Sequence, residues 1–119
     1  MRIKDTEIII AKGDITEAAA DAIVSITNSH LHMAEGTASL IRRKAGKAME
    51  AELAKLNPPK MGDVFLTSGG ALKSRKVIHA VILRLDNTTT EELIRKASRN
   101  ALLLANQNKF SSVVFPALG

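Results

Sequence analysis

Cysteine is absent from the 119 residues, and so are tryptophan and tyrosine. Without a thiol there is no disulfide framework, no thiolate zinc site and no cysteine nucleophile. Phenylalanine occurs three times, as Phe65, Phe110 and Phe115, too few for a platform that stacks single-stranded bases. No apolar run approaches the ~18 residues of a membrane helix. The start, Met1-Arg2-Ile3-Lys4-Asp5, carries charges where a secretory signal needs an apolar core. Internal repeats, low-complexity tracts and linkers are also missing. The expectation is a soluble, intracellular (cytoplasmic) chain with no membrane partner.

What is present is an ordinary folding composition. Apolar residues make up 45% and charged residues 24%, which suits a packed domain, and the length suits one such domain. Lys plus Arg is 17 against 12 Asp plus Glu, a net charge of +5. The excess lies in residues 61–119, while residues 1–60 are nearly balanced. Two basic clusters, Arg42-Arg43-Lys44 with Lys47 and Lys73 with Arg75-Lys76, read as solvated surface and offer weak attraction to polyanions.

The pattern along the chain alternates strand and helix signals. Ile8-Ile9-Ile10-Ala11 reads as a first strand, closed by Lys12-Gly13-Asp14. Ala22-Ile23-Val24-Ser25-Ile26 is a second. Such runs lack polar alternation, as in strands covered on both faces. From Thr37 to Leu56 apolar residues recur three or four apart, predicting one amphipathic helix that ends before Asn57-Pro58-Pro59. Val64–Thr67 and Lys76–Leu83 read as strands. Thr88-Thr89-Thr90-Glu91-Glu92 holds two overlapping capping-box registers and opens a second helix. Leu93, Ile94, Ala97, Ala101, Leu104 and Ala105 form its buried face. Ser112–Phe115 is the last strand, closed by Pro116. The order predicts an α/β layered domain.

In such domains ligands bind at the carboxyl ends of strands, where helix starts present free backbone N–H groups. Three polar segments follow strands here: Gly13-Asp14-Ile15-Thr16, then Thr27-Asn28-Ser29-His30 through Gly36-Thr37, and the segment after Phe115-Pro116-Ala117-Leu118-Gly119. Taken locally, Asp14 with Thr16 is a cap for a helical turn, and Asn28 is a turn residue. His30 and His32 form a His-x-His pair, but the spacing supplies no further ligand, so no metal is expected. His79, between Ile78 and Ala80, reads as a core histidine. No Ser/His/Asp spacing stands out.

Together the segments resemble the macro domain family. The resemblance runs through Lys12-Gly13-Asp14-Ile15-Thr16, Asp21-Ala22-Ile23-Val24, Asn28, Gly36, Ala45-Gly46, Gly62-Asp63-Val64, Thr67-Ser68-Gly69-Gly70-Ala71-Leu72, Val77-Ile78-His79-Ala80-Val81 and Phe115-Pro116-Ala117-Leu118-Gly119. It implies a three-layer α/β/α fold with a mixed central sheet. It also implies a cleft for ADP-ribose, free or attached to a protein, and no further cofactor. The implied contacts are Asp14, Ile15, Thr27, Asn28, Gly36, Thr37, Ala38 and Gly119. Asp14 would accept from the adenine amino group, with the Ile15 N–H beside it. Asn28 would meet hydroxyls of the distal ribose. Gly36 and Thr37 would start the helix facing the diphosphate, and Gly119 would begin a second phosphate loop.

Departures from the family pattern bear on activity. The strand motif, commonly Asn-Ala-Ala-Asn, is Ser25-Ile26-Thr27-Asn28, so only the second amide is kept. The glycine-rich loop reads Leu31-His32-Met33-Ala34-Glu35-Gly36-Thr37, with one glycine and with Glu35 near the phosphates. The aspartate of the hydrolytic branch is matched by Ala38, so no catalytic residue is assigned. Other branches act without that aspartate, which leaves ADP-ribosyl hydrolysis as an alternative. A degenerate domain serving as an interaction or nucleic-acid module is another. The resemblance further implies a helix, a strand inside the sheet and a last helix after the second loop. Residues 1–119 are therefore expected to form a C-terminally incomplete domain with a gap in its sheet. That gap would be filled by rearranged strands, by a second copy or by a complementing segment.

Overall fold

The computed structural model describes residues 2–3, 6–7, 9–31, 33 and 36–118. Two dipeptide strands, β1 (Arg2–Ile3) and β2 (Thr6–Glu7), pair antiparallel as a sheet of their own. Residues 9–11 carry no strand, and Ile9 and Ile10 are 73% and 98% exposed; Ile8 lies outside the described residues. The expected strand over 8–11 is thus corrected. Branched side chains favour extended backbone, but a strand persists only when a neighbour completes its ladder, and no described strand pairs with 9–11.

The main sheet is built on β3 (Ala22–Asn28) and β5 (Lys76–Leu83), which run parallel from Ala22↔Lys76 to Asn28↔Leu83. β4 (Val64–Ser68) lies antiparallel on the other side of β5, from Val64↔Ala80 to Ser68↔Lys76. β6 (Val113–Val114) lies parallel to β3 through Ala22↔Val113 and Ile23↔Val114. The order β4-β5-β3-β6 is a mixed four-stranded sheet. Asp21 clamps its β6 edge: the carboxylate accepts from the Ser111 N–H, and the Asp21 N–H donates to the Ser112 hydroxyl at 3.0 Å.

Successive side chains of a strand point to opposite faces, and here both faces are covered. Ala22, Val24, Ile78, Ala80 and Ile82 pack against Ala97, Ala101 and Ala105 of α3 (Glu91–Gln107). Alanines four residues apart give that helix a narrow contact stripe and a close seat. Ile23 and Val77 pack on the opposite face with Ile41 and Ala45 of α1 (Gly36–Ala45) and Met49 and Leu53 of α2 (Lys47–Ala54). The three-layer α/β/α arrangement follows, and it explains why the strands read as continuous apolar runs.

The helix expected from Thr37 to Leu56 is two helices. Gly46 breaks it with φ 90°, a conformation that costs little only for glycine. Gly70 closes over the break: Ala71 N–H donates to the Ala45 carbonyl at 2.9 Å, and a Cβ on Gly70 would stand 2.2 Å from that oxygen. The cap of α3 matches neither of the two expected registers. Thr90 is the N-cap, its hydroxyl accepting from Leu93 N–H at 3.2 Å. Leu93 therefore occupies the position where a box needs Glu or Gln. Thr88 is held one step earlier, donating its N–H and hydroxyl to Asp86 at 3.0 and 2.6 Å. No helix among the described residues is long and apolar enough to cross a membrane.

Candidate functional site

β3 and β6 end on the same side of the sheet, as parallel neighbours must, and α1 begins there. The junction encloses a cleft of about 540 Å³, within the range of small-molecule sites. Its floor is Val24, Ser25, Ile26 and Asn28 of β3. One wall is Gly36, Thr37 and Ala38 at the start of α1; the others are Leu83, Leu85 and Asn87 after β5, and Pro116 and Ala117 after β6. The first N–H groups of a helix have no partner within it and carry the positive end of its dipole. Gly36 has φ 59°, which turns the chain into α1 with no side chain in the way. The cleft is therefore suited to an anionic group at α1, flanked by an amide and by apolar walls.

Four of the eight residues expected at the site meet here: Asn28, Gly36, Thr37 and Ala38. The carbonyl oxygen of the Asn28 side chain accepts from His30 N–H at 3.0 Å, and its backbone carbonyl accepts from Leu31 N–H at 2.9 Å. The turn that follows β3 is thereby fixed. Thr27 is buried in the sheet at 1% exposure and does not line the cleft. Gly119 lies outside the described residues, as do Glu35 and His32. Pro116 and Ala117 of the Phe-Pro-Ala motif line the cleft directly, and Ser25, Leu83, Leu85 and Asn87 are further lining residues. Asn87 follows a carboxylate turn at Asp86 and has φ 65°; the adjacent Asp and Asn were its only sequence signal.

Asp14 and Ile15 stand apart from the cleft lining. Asp14 is the N-cap of a 3-10 turn over Ile15–Glu17; one of its oxygens accepts from Thr16 N–H at 2.9 Å and from the Thr16 hydroxyl at 2.6 Å. The local cap reading is what the structure shows. Lys44, near the end of α1, reaches the other Asp14 oxygen at 3.3 Å, the Thr16 hydroxyl at 2.9 Å and Glu17 at 3.3 Å. Lys73 holds the second Glu17 oxygen at 2.7 Å. The Thr16 hydrogen bonds, and then Lys44, keep the Asp14 carboxyl below its usual range. Lys73, and then Lys44, do the same for Glu17. Burial works against the Lys44 ammonium, but Asp14 and Glu17 outweigh it and raise its pKa.

Beside the floor of the cleft the sheet carries a buried polar row. His79 on β5 is fully buried and sits 2.9 Å from the Thr67 hydroxyl of β4 through Nε2. The Thr67 hydroxyl also lies 3.1 Å from the Ser68 carbonyl oxygen, so it has an acceptor for its hydrogen on one side and the imidazole on the other. Burial pushes the imidazole down to about 4. The ring is therefore neutral, and its Nδ1 has no partner among the described residues. Ser25 on β3, paired in register with His79, is 1% exposed, and its hydroxyl is likewise unpartnered.

A second, larger cavity of about 620 Å³ lies between the turn after β3 and α2, lined by Ser29, His30, Leu31, Met33, Arg42, Glu50, Leu53, Ala54, Leu56, Pro58 and Pro59. It has more volume but neither strand ends nor a helix start, so the cleft at α1 is the better candidate.

Known proteins place this architecture. A family model described as Macro domain matches residues 24–119. An uncharacterized protein of Pyrobaculum aerophilum is 41% identical over 116 residues, which is 94% of this chain and 63% of that one. The chain thus spans less than two thirds of this relative's length. The Trypanosoma brucei macrodomain in complex with ADP superposes with a TM-score of 0.79 at 31% identity, over 87% of this chain and 44% of that one. A mutant of the Oceanobacillus iheyensis macrodomain with ADPR superposes with a TM-score of 0.73 at 34% identity, over 89% and 62%. The chain belongs to the macro domain family.

Proposed function

We propose that the cleft at the start of α1 binds ADP-ribose. The observation that carries this reading is the convergence of the α1 N-terminus, Asn28 and the Pro116–Ala117 segment on one cavity. The α1 N–H groups at Thr37 and Ala38 receive the diphosphate. Asn28 receives hydroxyls of the distal ribose. Asp14 takes the adenine amino group on the lone pair that Thr16 and Lys44 leave on its second oxygen, with the Ile15 N–H beside it. The layout suits the ligand's length: Lys44, which holds Asp14, lies seven residues beyond Thr37, or about 10 Å along the helix. Related macrodomains hold ADP and ADPR.

An ADP-ribose attached to a protein offers the same groups, so ADP-ribosylated protein belongs to the same ligand class. Ala38 lines the cleft and carries no proton acceptor, so the reading is binding without efficient turnover. Mono-ADP-ribosylated protein incubated with the chain is expected to release ADP-ribose no faster than in buffer. Faster release would replace this reading with a hydrolase. Calorimetric titration with ADP-ribose tests the binding itself.

A further inference from the structure

We propose that the second cavity is a subsite for the polypeptide that carries ADP-ribose, taking an apolar side chain next to the modified residue. The inference rests on the ADP-ribose reading of the cleft at α1.

Two elements pass from one cavity into the other. In the turn after β3, Asn28 lines the cleft and Ser29, the next residue, lines the second cavity. On α1, Ala38 lines the cleft and Arg42, four residues on, lines the second cavity. Residues four apart share one face of a helix, about 6 Å apart along its axis. The two spaces are therefore neighbours on the Asn28 side of the cleft.

That side is where the distal ribose sits in the ADP-ribose reading. The distal ribose carries the ligand's one free anomeric carbon, so a glycosidic link to a protein leaves from there. The adenine end lies elsewhere. Lys44, which holds Asp14, is two residues beyond Arg42, about 200° around the helix. Adenine and the second cavity thus fall on opposite sides of α1.

The lining fits a polypeptide. Leu31, Leu53, Leu56 and Pro58 give the cavity an apolar surface. Arg42 and Glu50 also line it, as an ion pair with 3.7 Å between Nε and the carboxylate. Both side chains keep accessible surface, 37% and 48%. Their opposite charges give a further phosphate no net attraction. They suit a peptide group, whose carbonyl accepts from a guanidinium and whose N–H donates to a carboxylate.

The test compares three ligands by isothermal titration. They are free ADP-ribose and two synthetic peptides bearing one ADP-ribosylated serine, flanked by leucines or by glycines. The leucine peptide is expected to bind about tenfold tighter than free ADP-ribose, the scale of partly burying one apolar side chain. The glycine peptide is expected to match free ADP-ribose. Ala54 and Pro58 are exposed residues of the cavity wall, so Ala54→Trp and Pro58→Glu alter the cavity without touching the core. Each is expected to remove the leucine gain and to leave free ADP-ribose unchanged. Binding of free ADP-ribose with no leucine gain would overturn the inference and leave the cleft reading standing. So would a leucine gain that survives in both variants, or loss of free ADP-ribose in both. Self-association that Ala54→Trp abolishes, without a leucine gain, would assign the cavity to a second copy instead. No binding of free ADP-ribose or of either peptide up to millimolar concentration would overturn both readings.

Discussion

His79 and Thr67 share a hydrogen bond of 2.9 Å between adjacent strands, in a part of the sheet from which solvent is excluded. The ring is neutral because charging it there is unfavourable, and its pKa falls from 6.5 to about 4. Stability then depends on pH in a defined window. Above pH 6.5 neither the folded nor the unfolded imidazole is protonated, and this group adds no slope. Between 6.5 and 4 the unfolded chain takes up a proton that the folded chain refuses. The folded state therefore loses up to ~1.4 kcal/mol per pH unit, about 3 kcal/mol in all. Urea denaturation at pH 7.5, 5.5 and 4.5 should show this decline, and His79→Gln should flatten it. The same slope in that variant would contradict the assignment. Asp14 and Glu17 titrate at lower pH and add their loss at the acid end.

Gly70 is expected to tolerate no side chain. A methyl group would stand 2.2 Å from the Ala45 carbonyl oxygen, at a backbone φ of 57°. Overpacking and left-handed strain together predict a loss of about 2 to 4 kcal/mol for Gly70→Ala. Gly46 is also held in a conformation open essentially to glycine alone, φ 90° and ψ −170°, but nothing lies within 4 Å of an added Cβ, so Gly46→Ala should lose about 1 to 3 kcal/mol from backbone strain and less than Gly70→Ala. Equal losses in thermal denaturation would contradict the contact between Gly70 and the helix break.

The same pair shows what the sequence did and did not disclose. The helix from Thr37 to Leu56 keeps its apolar spacing straight through Ala45-Gly46-Lys47, because Ile41, Ala45, Met49 and Leu53 all face β3 and β5. The break depends on a contact with Gly70, distant in sequence, which no local pattern records. By contrast α3 was legible, since its apolar spacing and capping threonines act within a few residues. The strand expected at Ile8–Ala11 failed for the opposite reason: its propensity is local, but its partner strand is not. At the site, Asn28 and the α1 start follow from their place after β3. Ser25 does not, because a serine inside an apolar strand gives no local sign of whether its hydroxyl is satisfied.

Ile9 and Ile10 are exposed, and β6 at the sheet edge offers only two residues of ladder. Exposed branched side chains and an open sheet edge each favour association. Sedimentation velocity should therefore show concentration-dependent self-association of residues 1–119, reduced by Ile9→Lys with Ile10→Lys. A monodisperse monomer across the accessible concentration range would contradict this.

Lys44 and Thr16 hold Asp14 from opposite oxygens. If Asp14 reads the adenine amino group, Asp14→Ala should weaken ADP-ribose about tenfold. It should weaken the 6-oxo analogue inosine diphosphate ribose far less, since a carbonyl cannot donate to a carboxylate. Competition binding with both ligands gives the ratio, and an unchanged ratio would remove Asp14 from the site.

The central claim is that the cleft formed by β3, α1 and the segment after β6 takes ADP-ribose. Isothermal titration of residues 1–119 with ADP-ribose at pH 7.5 tests it most directly. The account predicts saturable one-to-one binding with a Kd between about 1 μM and 1 mM, about −8 to −4 kcal/mol. Absence of binding heat from the folded chain up to millimolar ADP-ribose, at more than one temperature, would contradict it.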